Sequence, residues 1–473
     1  MDSVQFALAL EKYDITTHQP QPPGYFLYVM LGRFVNFFVR DANSTFVSIS
    51  IIFSGLTVVA IYYLGKELFD NKIGFLAALL ALTSPNIWFH GEVALSYIVE
   101  AFFSTVVALL CWRLYEGKHK YIWLSAIILG ISGGIRQNTI VFLLPLWLFS
   151  IKEVPIKKSI ASIGLLGIVC LLWFVPMIWM TGGWNAYREA FRELWLFNSG
   201  TVSVFEKGWP SFRKFSSAVF VFTIYGIGAG AFTLGTAVYS LIRHRRLTSL
   251  DLVKVKFFSF WLVPPVLFYL LIFIHPANPG YALVFLPAVL VIAAVSIRYM
   301  GDRLKQIIKK DLFAFISAVV IAINISFFLF STLPVSSAEI RNHDRNLSIM
   351  LDGIRAFEPS TTAVFAGPYI FYGFRQVMYY LPEYRAYQYD VRVARSGEIR
   401  NTFWGVNRST FATDEIVLPA EVSNFIILLI SIDKYRFERL PGVELKTLFP
   451  SDISIASGDI SLIKKIFPEQ RIR

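Results

Sequence analysis

Apolar residues in this chain gather in long runs separated by short polar connections. Runs near 44–64, 73–88, 94–114, 121–135, 138–151, 159–180, 216–240, 257–275, 281–297 and 311–332 approach the length that crosses about 30 Å of hydrocarbon. The pattern predicts an all-α polytopic membrane protein of about ten spans. Two further apolar stretches break it. GYFLYVMLGRFVNFFV (24–39) carries Arg33 and Asn36, and the stretch near 183–197 sets Arg188, Glu189, Arg192 and Glu193 among Trp184, Tyr187, Phe191 and Trp195. Both read as helices lying in the membrane interface. From about residue 335 the pattern changes: a polar helical stretch precedes strand-like TTAVFAGP, YRAYQYDVRV and NFIILLI. Residues 1–334 are therefore expected to form the transmembrane domain and 335–473 a small soluble α/β domain.

Composition supports the membrane reading, with 55% of the 473 residues hydrophobic and 16% charged, where a soluble chain is nearer one quarter charged. The excess of 44 Lys and Arg over 32 Asp and Glu does not indicate nucleic-acid binding, because much of it sits in short loops between spans. The connections GKELFDNK, RLYEGKHK, IKEVPIKK, IRHRRLTSLDLVKVK and RYMGDRLKQIIKKD hold 18 Lys or Arg and alternate with weakly basic ones. By the positive-inside rule the basic set is cytoplasmic. The opening stretch, the Glu92 turn, the 181–215 loop and the C-terminal domain are then extracytoplasmic. Cys111 and Cys170 both lie in apolar runs and read as buried thiols. Sequons at Asn43, Asn324, Asn346 and Asn407 carry little weight, since such matches are frequent by chance and Asn324 lies in a span.

Four groups of polar residues share the extracytoplasmic face. Asp2, Glu11, Asp14, His18 and Gln21 precede QPPGY; His90 and Glu92 lie in FHGEVALSY; Arg136 and Gln137 in GGIRQN; His275 and Tyr281 in HPANPGY. Carboxylates take protons or hold cations, Arg and His neutralise phosphate, and aromatic rings such as Tyr25 stack on sugars or cradle lipid. The set suits a reaction between a lipid-linked phosphate ester and a polar acceptor. For each residue alone a plainer role competes: Arg136 snorkelling, Glu92 capping a helix, His275 bonding its own loop, Glu11 and Asp14 as solvated charges.

The run DSVQFALALEKYD…HQPQPPGYFLYVMLGR resembles the first outer loop of GT-C class, polyprenyl-phosphate-sugar-dependent membrane glycosyltransferases, the superfamily of dolichyl-phosphate-mannose-protein mannosyltransferases. WFHGEVALSY, GGIRQN, FVPMIWMTGGWNAYREA and HPANPGYALVFLP are similar to segments of its bacterial and archaeal members, so that the likeness covers about residues 2–300. The resemblance implies a GT-C-like fold in a prokaryotic plasma membrane and an inverting transfer of sugar from a polyprenyl-phosphate donor to a glycan, lipid or protein hydroxyl on the non-cytoplasmic face. It implies Asp2 as general base and Glu92 as a carboxylate in a supporting or metal-binding role. Arg136, Gln137 and His275 would face the donor phosphate, and His18, Gln21, Tyr25, His90 and Tyr281 would bind substrate. The sequence leaves metal dependence open: a paired Asp2 and Glu92 could hold Mg²⁺, Mn²⁺ or no ion. Two departures stand out: Gln21 replaces a histidine common in relatives, and only Met1 precedes Asp2, where relatives carry a membrane helix, so a missing first span is expected. Competing readings are a flippase of lipid-linked sugars, which would want mid-bilayer polar residues and an internal repeat, and a non-catalytic scaffold in envelope glycan assembly.

Overall fold

The structure, a computed structural model, describes residues 2–243, 251–367, 372–393, 399–404, 412–413, 415–416, 418–430, 440–448, 453–466 and 471–472. The chain divides into two compact units, Met1–Gln21 with Arg341–Arg473, and Pro22–Ile340.

In the larger unit each of the ten predicted spans falls on a helix or a broken pair of helices. Five are long and apolar enough to cross a membrane, Ala42–Leu68, Tyr97–Tyr115, Ile156–Met180, Leu252–Leu271 and Phe313–Phe330, and two bent pairs raise the number to seven. The other three expected spans differ for physical reasons. Ile122–Ile135 and Gln137–Ile151 are 14 and 15 residues long, roughly 21–23 Å at 1.5 Å per residue, because the chain breaks between them at Arg136. Leu286–Ile308 has length enough but carries Arg298, Asp302, Arg303 and Lys305 in its second half. The stretches 24–39 and 183–197 become the separate helices Phe26–Val39 and Trp184–Phe197.

Tyr97–Tyr115 is apolar and buried nearly all round, as a helix at the middle of a bundle must be. Ile156–Met180 and Phe313–Phe330 bury only a few positions and show leucine, isoleucine and phenylalanine outward. Small residues let neighbours approach: a Cβ on Gly74 would lie 2.5 Å from the Tyr62 carbonyl oxygen, and one on Gly65 2.9 Å from the Gly74 Cα. Such contact between Ala42–Leu68 and Asn71–Leu82 is the packing available where lipid offers no hydrophobic drive. Asn324, fully buried, accepts from the Ala229 N–H at 2.9 Å and so satisfies backbone at the 111° break after Trp209–Ile227; this sequon is a structural asparagine.

The basic connections gather at one end of the bundle. Arg113 makes a forked pair with Glu67, Lys118 adds a 3.9 Å contact to the same carboxylate, Arg298 pairs with Asp70, and Lys254 sits 4.7 Å from the Phe69 ring centre. Residues 244–250 of the longest basic connection lie outside the described residues.

In the smaller unit the expected strands appear as β1 (Thr362–Ala366), β2 (Arg385–Val393) and β6 (Asn424–Ile430). With β3 (Ile399–Trp404), β4 (Ala412–Thr413), β7 (Val443–Thr447) and β8 (Ile453–Asp459) they form a mixed sheet ordered β4-β3-β2-β1-β6-β8-β7. β2, β1 and β6 run parallel, and β3 and β8 flank them antiparallel. Val364, Ala366, Ile426 and Leu428 pack under helices Ser337–Arg355 and Phe374–Tyr380, while Phe365, Phe425 and Ile427 face Ile463 and Ile466. β5 (Glu415–Ile416) pairs with β9 (Arg471–Ile472). Helix Asp2–Glu11 packs against Phe374–Tyr380, so the first and last segments of the chain share this unit.

Gly74→Val should force the two contacting helices apart and destabilise the protein by roughly 1–3 kcal/mol. A lower unfolding temperature of detergent-solubilised protein checks this, with Gly167→Val, whose Cβ meets nothing within 4 Å, expected to leave it unchanged.

Candidate functional site

The larger unit holds a buried polar cluster built around Arg136. Between Ile122–Ile135 and Gln137–Ile151 a single residue is extended, Arg136 at φ −146° and ψ 117°. Glycines make room for the break. A Cβ on Gly134 would meet the Leu27 side chain at 2.4 Å, and one on Gly133 the Ile140 side chain at 2.2 Å. The Arg136 N–H still bonds the Ser132 carbonyl at 3.0 Å, and the Arg136 carbonyl accepts from the Thr139 N–H at 3.0 Å. One extended residue thus carries the guanidinium into the bundle, where its side chain is 7% exposed.

There it meets the first turn of Tyr97–Tyr115. Arg136 Nε lies 2.8 Å from Glu100 Oε2, a carboxylate 1% exposed. Nη1 donates to Ser96 Oγ at 3.3 Å, and Thr139 Oγ1 donates to Glu100 Oε1 at 2.8 Å. Glu100 also stands near a helix N-terminus, where the backbone dipole favours negative charge. Three tyrosines surround the cation, with ring centres 4.1 Å (Tyr97), 5.3 Å (Tyr25) and 5.8 Å (Tyr281) from Cζ. Ring quadrupoles attract a desolvated guanidinium. Nη2 has no hydrogen-bond partner among the described residues.

The 275–281 connection is pinned onto this box. Asn86 Nδ2 donates to the Pro279 carbonyl at 3.0 Å, Asn278 Nδ2 donates to the Tyr97 hydroxyl at 2.9 Å, and Asn278 Oδ1 accepts from the Gly280 N–H at 3.1 Å. Gly280 has to be glycine, because a Cβ would lie 2.6 Å from His90 Nε2 and from the Tyr97 ring. His90 is buried, with Nδ1 2.9 Å from the Asn86 carbonyl oxygen and its ring edge-on to Tyr97. The carbonyl can only accept, so Nδ1 carries the proton. Gln137 ties in a third side: its Nε2 donates to the Pro23 carbonyl at 3.0 Å, and its Oε1 accepts from Tyr187 at 3.3 Å.

Of the residues expected from the sequence, Tyr25, His90, Arg136, Gln137 and Tyr281 come together here. Glu92 ends helix Pro85–Glu92 with its side chain exposed. His275, half-buried, accepts from the Ala277 N–H at 3.2 Å and shapes its own turn. Asp2, His18 and Gln21 belong to the smaller unit. Asp2 opens helix Asp2–Glu11 and is partly exposed. Asp14 caps the turn Ile15–Thr17 by accepting from the Thr16 N–H at 3.0 Å, and it pairs with Lys12 at 3.3 Å. His18 closes that turn with a positive φ of 54°; burial first, then the charge of Arg375, push its imidazole down to about 4. Among the described residues no three His, Cys, Asp or Glu side chains gather as a metal site.

Sequence reasoning missed Glu100, Tyr97, Thr139, Asn86 and Asn278. Glu100 did carry a signal. It is the single charge inside the run YIVEAFFSTVVALLCW, and a carboxylate within a membrane helix is expected to be paired and functional.

Residues 23–180 match the family described as dolichyl-phosphate-mannose-protein mannosyltransferase. A crystal structure of ArnT from Cupriavidus metallidurans bound to undecaprenyl phosphate is similar, with a TM-score of 0.57 at 10% identity over 98% of this chain and 94% of that one. The apo state of the same protein gives 0.55 at 11% identity, again over 98% and 94%. No curated protein sequence matches the chain. The likeness to ArnT establishes that the chain shares its fold with that protein.

Glu100→Gln leaves a buried guanidinium without its counter-charge and should destabilise the protein by about 3–5 kcal/mol. Adding Arg136→Gln should restore most of the loss, a coupling read from unfolding of the single and double variants. Strictly additive losses would show that the two groups do not depend on each other.

Proposed function

We infer that the protein transfers a sugar from a polyprenyl-phosphate donor to an acceptor hydroxyl at the membrane surface. The observation that carries this reading is Arg136, a buried cation with Nε beside Glu100, Nη1 on Ser96 and Nη2 uncommitted among the described residues, boxed by tyrosines at the end of the bundle away from the basic connections. A guanidinium so placed suits a phosphate oxygen, and the aromatic walls suit sugar or isoprenoid. The mannosyltransferase family match over residues 23–180 and the fold shared with an undecaprenyl-phosphate-bound ArnT support the same chemistry.

In this reading the acceptor oxygen attacks the anomeric carbon while the bond from that carbon to the phosphate oxygen breaks. The hydroxyl proton passes to a carboxylate, assigned to Asp2 by the sequence resemblance, and the bonding pair leaves on polyprenyl phosphate. Arg136 neutralises the departing phosphate, so no acid has to protonate it. A single displacement inverts the anomeric centre. Gln137 and His90 hold the walls of the box, and Glu92 supports from the same end of the bundle. The basic end is cytoplasmic by the positive-inside rule, which puts the Arg136 end on the outer face. Counting Ile122–Ile135, Gln137–Ile151 and Leu286–Ile308 with the other seven gives ten crossings.

Membranes containing the full chain, supplied with labelled polyprenyl-phosphate sugar, should yield labelled acceptor. Asp2→Asn should lower the rate by about 10²–10⁴-fold, the usual contribution of a general base. Unchanged turnover would remove Asp2 from the mechanism, and movement of intact donor across liposomes without transfer would favour a flippase.

A further inference from the structure

The smaller unit contains a buried cation that the reaction above does not use. Arg375, on helix Phe374–Tyr380, is 1% exposed. Its Nη2 donates to the Thr17 carbonyl at 2.7 Å, and its guanidinium lies 5.0 Å from the Phe374 ring centre. Nη1 has a long, 4.0 Å contact to the Met378 sulfur, and Nε has no hydrogen-bond partner among the described residues. No carboxylate pairs with it there either, and burial pushes its pKa down to about 10. Uncompensated buried charge is expensive. Among the described residues its one strong acceptor is a main-chain carbonyl far away in sequence.

That carbonyl belongs to a closed loop. Asp14 and Gln19 exchange main-chain bonds at 2.6 and 2.9 Å, the Thr17 hydroxyl donates to the Asp14 carbonyl at 3.1 Å, and His18 is held in the left-handed region. The loop follows directly on helix Asp2–Glu11, whose Val4, Gln5, Phe6, Ala7, Leu8 and Ala9 are buried and which packs on the same Phe374–Tyr380 helix. The segment that carries Asp2 is therefore gripped twice by one short helix of the β-containing domain, once by apolar packing and once by Arg375.

We propose that Arg375 is a positioning residue: through the Thr17 carbonyl it fixes the 2–21 segment on the C-terminal domain, and holding that segment is this domain's part in the reaction. The inference rests on the reading of Asp2 as the base. A base displaced by about 1 Å can lose about 100-fold in rate, whereas donor affinity, set in the other unit, should not change.

The test uses the full chain in nanodiscs and follows both hydrogen exchange and sugar transfer. Arg375→Met should raise amide exchange in 2–21 while β1 and β6 keep their protection. It should also lower kcat by about 10–100-fold, with the KM for labelled polyprenyl-phosphate sugar within twofold of the parent. Arg375→Lys, which keeps a donor, should recover kcat to within about fivefold and restore slow exchange. Unchanged exchange in 2–21, a kcat within twofold of the parent, or a defect confined to KM would each overturn the proposal. If Arg375→Met loses β1 and β6 protection, Arg375→Gln, too short to reach the Thr17 carbonyl, takes its place: more exchange in 2–21 with a smaller kcat and an unchanged KM supports the proposal, and parental values overturn it. Full activity of Asp2→Asn would defeat the base assignment instead, and the exchange result would still report whether Arg375 holds the segment.

Discussion

The ion pair between Arg136 and Glu100 constrains the larger unit more than any other polar contact described. Both groups are nearly inaccessible to water, and neither charge is tolerable alone in that position. Their pairing fixes where Ile122–Ile135 must end, which turn of Tyr97–Tyr115 it must face, and where Gln137–Ile151 must begin. Thr139 and Ser96 complete the hydrogen bonding from two of those elements, and the tyrosine box closes over it from Tyr25, Tyr97 and Tyr281. The break at Arg136 shortens two helices below a full crossing, and the glycines before it allow the tight packing that the break needs.

Polar groups at the other end of the same helices are arranged quite differently. Glu67, Asp70, Arg113 and Arg298 pair near the surface, where such bridges contribute little to stability, and the lysines around them are exposed. Tyr97 and Arg113 are separated by most of one helix, roughly 24 Å at 1.5 Å per residue. One end of the bundle is thus basic and wet, and the other holds a caged cation in an apolar, aromatic setting.

Much of this was legible in the sequence. Run lengths located the helices, of which five, or seven with the bent pairs, are long and apolar enough to cross a membrane where ten spans were expected; charge alternation separated the basic connections from the polar turns, and GGIRQN, FHGEVALSY and HPANPGY marked three loops that do meet. The β-like runs after residue 360 became β1, β2 and β6. Three features were not legible. The partner of Arg136 lies 36 positions earlier on another helix, and no periodicity links Glu100 to it. Asn86 and Asn278 act through main-chain carbonyls, which leave no trace in side-chain patterns. The packing of Asp2–Glu11 onto Phe374–Tyr380 joins segments more than 360 residues apart, a distance over which local propensity carries no information. Glu92 and His275 were chosen for their residue type, yet one is exposed at a helix end and the other shapes its own turn.

If Arg136 is the phosphate-binding cation, its charge should govern the lipid's affinity independently of any chemistry. The most direct test measures binding of undecaprenyl phosphate to the purified full chain and to the double variant Glu100→Gln, Arg136→Gln, in which both charges are removed together and no unbalanced charge remains. The account predicts weaker binding by at least about tenfold, the equivalent of one lost charge-assisted hydrogen bond of roughly 1.5–3 kcal/mol. Equal affinity in two proteins with the same unfolding temperature would contradict it.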